Sequence, residues 1–370
     1  MAPTAILATQ HLESFEGILS KFGIKTELLI GSTSKKKKEE ILARLANGEI
    51  DILIGTHSLL EENVVFKKLG LVVTDEQHRF GVRQRSTIAS KGNHPDVIVM
   101  TATPIPRTLA LILYGDLDIS IIDELPPNRK KIETYAVTKR LEDRVNHFIK
   151  KQIQEGRQAY VVCPLVEDNE EIDAKSVMAL AEKYKTEIFP EFKVEFLHGK
   201  MRPKEKDAIM EEFKNGKIQI LISTTVIEVG VNVPNASIMV VENAERFGLA
   251  QLHQLRGRVG RGEYQSYCIL KYQGNSEVIR QRMKVMQDTN DGFVISEKDL
   301  ELRGSGEFFG TKQHGIPEFK IANLFIDMPI LKEAQEAATE ILTQDPKLEQ
   351  SENVPLKKII ERKFGMGISI

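Results

Sequence analysis

Short apolar runs alternate with charged amphipathic stretches along the first 274 residues. The apolar runs include IDILIGTH at 50–57, LGLVVTDE at 69–76 and ASIMVVEN at 236–243, which are nearly continuous in Val, Ile and Leu. Stretches such as EEILARLANG at 39–48 have the spacing of an amphipathic helix. Alternating strands and helices of this kind are typical of parallel sheets that helices cover on both faces. The pattern predicts an α/β protein.

The pattern also occurs twice. NGEIDILIGTHSL at 47–59 is similar to NGKIQILISTTVI at 215–227, and Asn47 and Asn215 are 168 positions apart. The same offset aligns Gly31 with Gly199, Ile52 with Ile220, Thr56 with Thr224 and Val72 with Val240. A constant spacing indicates an internal duplication, and therefore two α/β lobes. KKKKEE at 35–40 and RPKEKD at 202–207 then stand at the same place in the two copies and begin equivalent helices, the first one capped within residues 32–34.

Prolines and charges mark the boundary between the lobes. DELPPNRKKIETY at 123–135 predicts a linker at about 122–132. Beyond residue 274 the pattern becomes helical, and Ser296 with Asp299 forms a capping box that predicts the start of a short helix. Two further amphipathic helices are predicted at 329–343 and 354–364. We therefore predict a first lobe at 1–122, a second lobe at 123–274 and a helical segment at 275–370.

Composition narrows the class of protein. The 370 residues carry a net charge of −2, with 41% hydrophobic and 28% charged residues, as in ordinary globular proteins. A nucleic-acid partner would have to be held by local Lys and Arg clusters. No apolar run approaches the ~20 residues that cross a bilayer, so we expect a cytoplasmic protein with no membrane contact. Cys163 and Cys268 lie in strand-like runs and are expected to be buried thiols.

Two groups of residues suggest chemistry. Asp75 and Glu76 follow an apolar strand, where one carboxylate can hold a magnesium ion and the next can accept a proton from a water molecule. The 168-residue offset places Asn243 and Ala244 opposite them, so the acidic pair is expected in one copy only. The second copy has QLHQLRGRVGRG at 251–262, whose arginines suit phosphate oxygens. A nucleotide held between acids and arginines is the resulting hypothesis.

These blocks resemble the conserved motifs of superfamily 2 helicases. DEQH at 75–78, TATPIPRTLA at 101–110, STTVIEVGVNVPNA at 223–236 and QLRGRVGRG at 254–262 occur in that family's order. The resemblance implies two RecA-like lobes with parallel sheets flanked by helices, the first lobe truncated, followed by a C-terminal helical segment. It implies ATP and Mg²⁺ as cofactors, and a motor on double-stranded and branched DNA that remodels forks and Holliday junctions.

The resemblance assigns roles to individual residues. Asp75, Glu76, Gln254, Arg258 and Arg261 would be catalytic, with Asp75 also at the metal, and the nucleotide would contact Glu228, Gly230 and Asn232. The DNA-binding residues would be Pro3, Thr4, Gly55, Thr56, His57, Ser223, Thr224 and Thr225. The residues that couple the two sites would be His78, Thr101, Thr103, Arg256, Arg303 and Gln313.

Two alternatives stay open. Transcription-repair coupling factors have a similar motor, although DEQHRFGVRQR at 75–85 and the segment at 302–324 favour a junction-remodelling translocase. A non-catalytic DNA-binding scaffold is also possible, because the sequence lacks the phosphate-binding loop G-x-x-x-x-G-K-[ST]. The family has that loop before the block that MAPTAILATQH resembles. We therefore expect a monomeric C-terminal portion that would act together with an N-terminal part of its own chain.

Overall fold

The computed structural model describes residues 1–102, 118–122, 124, 126, 129–164, 170–224, 233–308 and 328–364. The chain divides into two compact units. One comprises Met1–Pro104 and Asp123–Leu302, and the other comprises Ile105–Ile122 and Arg303–Ile370. The boundaries predicted between the two lobes and the helical segment remain a prediction.

Strands and helices alternate in the first unit. The strands are β1 (Thr26–Leu29), β2 (Ile52–Gly55), β3 (Leu71–Thr74), β4 (Asp96–Val99), β5 (Glu133–Val137), β6 (Gln158–Val162), β7 (Val194–Leu197), β8 (Ile220–Ser223), β9 (Ala236–Val241) and β10 (Tyr267–Lys271). The α-helices among the described residues are α1 (Ala5–Leu19), α2 (Lys35–Asn47), α3 (Val82–Ala89), α4 (Glu142–Gln154), α5 (Glu170–Lys183), α6 (Pro203–Lys214), α7 (Leu249–Arg256), α8 (Glu277–Asp288), α9 (Gly292–Phe308), α10 (Met328–Gln344) and α11 (Val354–Phe364).

The second lobe is built on one six-stranded parallel sheet in the order β5-β10-β9-β6-β8-β7. Every residue of β6, β8 and β9 is buried. Alternate residues of β6 face opposite sides, since Tyr160 and Val162 pack in one apolar cluster and Ala159 and Val161 in another. Helix α4 covers the second cluster with residues spaced four apart, the last being Ile153. The predicted parallel sheet buried on both faces is confirmed here.

The described strands of the first lobe form two separate parallel pairs, β1 with β2 and β3 with β4. Residues Met1 and Ala2 connect the two pairs. The N-terminal amine of Met1 donates to the Val73 carbonyl at 2.6 Å, the Met1 carbonyl accepts from Asp75 N–H at 3.0 Å, and Ala2 N–H donates to the Gly55 carbonyl at 2.9 Å. The sheet of the first lobe is thus interrupted between β2 and β3.

The duplication is visible in the structure, with one change of register. Strands β1 and β2 match β7 and β8 at an offset of 168 residues. Helix α3 begins at Val82 and α7 at Leu249, which is an offset of 167 (249 minus 82). The same value relates Glu76 to Asn243, which both have left-handed backbones with φ of 49° and 48°. The chain between β8 and β9 is therefore one residue shorter than its counterpart.

This register corrects one expectation. The residue equivalent to Asp75 is Glu242, and the residue equivalent to Glu76 is Asn243, so the second copy retains the first carboxylate. Their backbones agree as well, because Asp75 N–H donates to Met1 and Glu242 N–H donates to Val162. The constant offset of 168 paired Asp75 with Asn243 because it took no account of a one-residue deletion between β8 and β9, which moves every later residue by one position. The acidic pair is nevertheless complete only in the first copy.

The C-terminal helices agree with the prediction except at one start. Helix α9 begins at Gly292, so Ser296 and Asp299 lie inside it. The helix is capped by Asp291, whose Oδ1 accepts from the N–H groups of Phe293 at 2.8 Å and Val294 at 3.4 Å. In the second unit, α10 and α11 match the two predicted amphipathic helices. Across the described residues, no helix has the length and apolarity needed to cross a membrane.

Candidate nucleotide and DNA site

The carboxyl end of β3 presents the predicted acidic pair. Asp75 and Glu76 follow directly after Thr74, and both are partly buried. The Oδ1 atom of Asp75 accepts a hydrogen bond from the Glu76 N–H at 2.8 Å, and its Oδ2 atom lies 2.9 Å from Nε2 of His11. The pair therefore lies at the edge where open α/β sheets bind ligands.

His11 was not among the residues predicted from the sequence. The hydrogen bond from His11, on α1, is the largest cause of the lowered pKa of the Asp75 carboxyl. Partial burial of Asp75 acts against this, while the charge on His11, the Glu76 N–H and the N-terminal ammonium lower the pKa further. Asp75 is thus ionised at neutral pH. The contact joins residues 64 positions apart, and no motif marks it.

Glu76 has an unusual backbone and a second neighbour. Its φ of 49° and ψ of 54° lie in the left-handed region, which is uncommon for residues other than glycine. Its Oε2 atom accepts a hydrogen bond from Ala102 N–H at 3.4 Å. Ala102 belongs to the TATP block. Gln77, which follows Glu76, donates its N–H to the carbonyl of Met100, the residue before that block, at 3.0 Å. The acidic pair and the start of this block are therefore in contact.

One of the three guanidinium groups of the arginine-rich block at 251–262 is buried and cannot reach a ligand. Arg256 is only 1% exposed, at the end of α7. Its Nη1 atom donates to the carbonyls of Met286 at 2.8 Å and Thr289 at 2.9 Å, and to Thr134 Oγ1 at 3.3 Å. The hypothesis of three phosphate-binding arginines is therefore wrong for Arg256, which joins α7 to β5 and to the end of α8. A coupling role for Arg256 remains a prediction.

The other two arginines lie in the loop after α7. Arg258 is partly buried, and Arg261 has an exposed surface. Desolvation lowers the pKa of Arg261, and the nearby charges of Arg258 and Arg129 lower it further. Although much of the Arg261 side chain reaches solvent, its guanidinium thus lies among other cations. Gln254 lies on α7 and is partly buried.

Two predicted DNA-binding residues of the first lobe have local structural roles. Thr4 is the N-cap of α1, where its Oγ1 accepts from Leu7 N–H at 3.4 Å. A Cβ on Gly55 would lie 2.2 Å from the Leu29 carbonyl oxygen, so packing alone requires a glycine there. His57 is exposed, Pro3 is partly buried, and Thr56 is 4% exposed. Their contact with DNA remains a prediction.

The matching residues of the second lobe lie inside it. Ser223 is 0% exposed and its Oγ donates to the Thr224 carbonyl at 2.7 Å, while Thr224 is 2% exposed. Among the described residues, the Thr224 hydroxyl has no hydrogen-bond partner. Side-chain contact of either residue with DNA would require the end of β8 to open.

Several predicted site residues are not placed by the structure. Those outside the described residues are Thr103, Thr225, Glu228, Gly230, Asn232 and Gln313. The backbone of His78 lies in a short 3₁₀ helix and that of Arg303 in α9, but their side chains are also outside the described part. Thr101 is described and is partly buried beside Ala102.

The residues at the acidic pair fit a magnesium nucleotide. Mg²⁺ binds oxygen ligands and commonly takes only one or two carboxylates, with water and substrate phosphates completing its shell. Asp75 supplies an ionised carboxylate that its neighbours orient, and Glu76 supplies a second one beside it. Within the described residues, no cluster of three or more His, Cys, Asp or Glu side chains could form a cage made entirely of protein ligands.

Comparison with family models gives the class. Residues 1–112 match the DEAD/DEAH box helicase model, and residues 140–263 match the helicase conserved C-terminal domain. The two lobes are therefore those of a helicase. Residues 289–363 match the C-terminal part of domain 3 of the ATP-dependent DNA helicase RecG. The chain belongs to the RecG family.

Individual relatives agree. The chain is 52% identical over 345 residues to the ATP-dependent DNA helicase RecG of Bacillus subtilis, a match that covers 93% of this chain and 51% of the relative. It is 50% identical over 341 residues to the RecG of Thermotoga maritima, covering 92% of this chain and 44% of the relative. The chain thus spans about half the length of the curated relatives it matches.

Solved structures confirm the fold. A structure described as RecG bound to a three-way DNA junction is 47% identical, with a TM-score of 0.72, and the match covers 90% of this chain and 43% of that one. The DUF1998 helicase MrfA bound to DNA is 20% identical, with a TM-score of 0.56 over 78% of this chain and 41% of that one, and shows the fold alone. The predicted α/β fold with RecA-like lobes is confirmed, and of the two motor families left open, RecG is favoured.

Proposed function

We propose that the chain is the motor portion of an ATP-driven double-stranded DNA translocase that remodels stalled replication forks and Holliday junctions. The observation that carries the proposal is the ionised Asp75 beside Glu76, with Glu76 in contact with the TATP block, in a chain half identical to RecG helicases. The three-way junction in the structure of the related RecG supports branched DNA as the partner.

The residues of the site would divide the work of ATP hydrolysis. Bound Mg²⁺–ATP would supply the phosphoryl bond that is cleaved. Asp75 would hold the hydration shell of the metal, and Glu76 would accept the proton of the attacking water. Arg258, Arg261 and Gln254 would bind phosphate oxygens and neutralise the charge that develops on them. Glu228, Gly230 and Asn232 would line the same cleft.

The DNA contacts would come from equivalent turns in the two lobes. These are Pro3, Thr4 and the turn at 55–57 in the first lobe, and the turn at 223–225 in the second. Backbone N–H groups there would bind phosphates without reading bases. The coupling residues His78, Thr101, Thr103, Arg256, Arg303 and Gln313 would transmit nucleotide state to the DNA. The protein would act in the cytoplasm as a monomer, with the N-terminal part of its own chain gripping the junction.

The chain by itself is expected to hydrolyse ATP negligibly. Its sequence has no phosphate-binding loop, so the backbone N–H groups and Lys that would fix the phosphates opposite Asp75 and Glu76 are missing from it. A steady-state ATPase assay of residues 1–370 with and without branched DNA tests this expectation. Robust DNA-stimulated turnover would contradict it.

The discriminating experiment is Glu76→Gln in the full-length protein that carries this chain. Loss of the proton acceptor should lower the DNA-stimulated kcat by about 10²- to 10⁴-fold. The affinity for a fluorescent three-way junction should stay within about twofold, since Glu76 contacts Ala102 rather than a surface proposed for DNA. A non-catalytic scaffold would show no ATPase to lose, and that result would refute the motor.

A further inference from the structure

His11 reaches Asp75 from a helix whose position is fixed by packing. Helix α1 carries Ala8, which is 0% exposed, and Leu12, and both belong to an apolar cluster that includes Ile54 of β2. His11 stands between these two residues on the helix, and its Nε2 atom lies 2.9 Å from Asp75 Oδ2. The imidazole therefore starts from an anchored part of the backbone.

The segment that leads into the same helix holds the backbone of Asp75. Asp75 N–H donates to the Met1 carbonyl at 3.0 Å, and α1 begins four residues after Met1, at Ala5. The chain from Met1 to His11 thus contacts Asp75 twice, first at its backbone N–H and then at its carboxylate. A carboxylate held in this way does not rotate freely about its last side-chain bond.

The hydrogen bonds to the carboxylate are divided between its two oxygens. Oδ1 accepts from Glu76 N–H at 2.8 Å, and Oδ2 is the atom that faces His11. An ionised carboxylate only accepts hydrogen bonds, so the Nε2 atom of His11 carries a proton and is the donor. Each carboxylate oxygen offers about two acceptor positions, so a position on each is left for water or a metal ion.

The second copy of the unit also brings a ring donor to its strand-end acid. Strands β1 and β2 match β7 and β8, so α1 matches α5, which precedes β7. Tyr184 directly follows α5, and its hydroxyl donates to Oε1 of Glu242, the equivalent of Asp75, at 3.3 Å. At the offset of 168, Tyr184 aligns with Glu16 rather than with His11. The two copies therefore supply the same kind of contact from different positions along the helix.

We infer that His11 is a positioning residue for the magnesium site, because its hydrogen bond sets the rotation at which the Asp75 carboxylate meets the hydration shell of the metal. The inference rests on the proposed function, in which Asp75 holds that shell. His11 acts through Asp75 and does not itself contact the metal. Hydrogen-bond partners of metal-binding side chains typically change metal affinity by about 10- to 100-fold.

The test measures nucleotide binding with and without metal in the full-length protein that carries this chain. A fluorescent, non-hydrolysable ATP analogue is titrated in Mg²⁺ and again in EDTA, and the Mg²⁺ concentration for half-maximal ATPase is measured alongside. His11→Leu removes the donor and should raise that concentration about 10- to 100-fold, and it should weaken nucleotide binding in Mg²⁺ but not in EDTA. His11→Gln should restore both values to within about threefold, because its amide nitrogen can replace Nε2 as the donor.

Two variants are matched controls. Tyr184→Phe removes the equivalent donor of the second copy, and His147→Leu makes the same change as His11→Leu at an exposed position of α4. Neither should alter the dependence on Mg²⁺. Urea unfolding of each variant shows whether it is folded. If His11→Leu is not, His11→Asn takes its place, because the shorter amide does not reach Asp75.

The outcomes separate this inference from the proposed function. Equal weakening of nucleotide binding in Mg²⁺ and in EDTA would show that the contact only holds α1 in place, and would overturn the inference. A shift in His11→Gln as large as that in His11→Leu would do the same. An unchanged Mg²⁺ dependence in His11→Leu beside a raised one in Asp75→Asn would overturn the inference and leave the proposed function standing. No change in either variant would count against the magnesium site itself.

Discussion

The two copies of the duplicated unit place the same backbone around different chemistry. Segments 75–89 and 242–256 both begin with an acidic residue, pass through a left-handed residue at Glu76 or Asn243, and continue into an eight-residue helix. The first helical turn is capped identically, because the N–H of Gly81 donates to Gln84 Oε1 and that of Gly248 to Gln251 Oε1, each at 3.0 Å. The difference lies in the neighbours that other elements supply.

The neighbours decide which acid is available. The carboxylate of Asp75 is oriented by His11 and has Glu76 beside it. The carboxylate of Glu242 forms an ion pair with Lys271 at 2.7 Å and accepts from Tyr184 OH at 3.3 Å, and both members of the ion pair are mostly buried. Glu242 is therefore committed to holding β9 and β10 together. The second copy thus keeps an acidic residue at this position, but its carboxylate is engaged in an ion pair.

The largest expected effect separates these two acids. Asp75→Asn in the full-length protein should lower DNA-stimulated ATPase by about a hundredfold or more, because an uncharged amide holds a metal poorly. Glu242→Gln should leave kcat within about twofold but lower the free energy of unfolding by about 1–3 kcal/mol, because Lys271 loses its partner. ATPase assays and urea unfolding of both variants measure this contrast. An equal loss of ATPase in both would break the comparison.

The sequence predicted the strands and helices better than it predicted which residues of the two copies are equivalent. Apolar runs predicted the strands because a strand buried on both faces needs Val, Ile and Leu whatever its neighbours. The equivalence of Glu242 to Asp75 was missed, because a one-residue deletion between β8 and β9 leaves no mark in composition. His11 was missed for a related reason, since it meets Asp75 only when distant segments pack. The start of α9 was misplaced because Ser296 fits a capping pattern that Asp291 fulfils.

The second prediction concerns the last residue of each equivalent helix, which is Ala89 in the first copy and Arg256 in the second. Arg256→Ala makes the second copy like the first. It should lower the free energy of unfolding by about 3 kcal/mol or more, since the buried carbonyls of Met286 and Thr289 lose their donor. Chemical denaturation measures the loss. Arg280→Ala, on an exposed surface, should change it by less than about 0.5 kcal/mol, and a similar small change for Arg256→Ala would show that its bonds contribute little.

The smallest effect at neutral pH, and the one with a distinct pH dependence, concerns His253 and its counterpart Ser86. Burial and the adjacent Arg256 lower the pKa of His253 from 6.5 to about 4, with Arg129 adding to the shift and Asp291 opposing it. Arg256 Nη2 lies 3.0 Å from Nδ1 of His253, so this nitrogen must accept and the folded ring is neutral. The unfolded ring takes up a proton below pH 6.5 while the folded one does not. Stability is therefore unaffected above pH 6.5 and falls progressively towards pH 4.

The pH dependence gives a sharp test of the two positions. By the usual 1.36 kcal/mol per pKa unit, His253 should account for up to about 3 kcal/mol of lost stability between pH 7 and 4. His253→Gln should flatten the curve of unfolding free energy against pH over that window, and its amide oxygen can still accept from Arg256. Ser86 is exposed on the equivalent helix, so Ser86→His should leave the curve almost as it is. Only the second copy buries this position against an arginine. If Ser86→His steepened the curve as much as His253→Gln flattened it, burial beside Arg256 could not be the cause of the pH dependence.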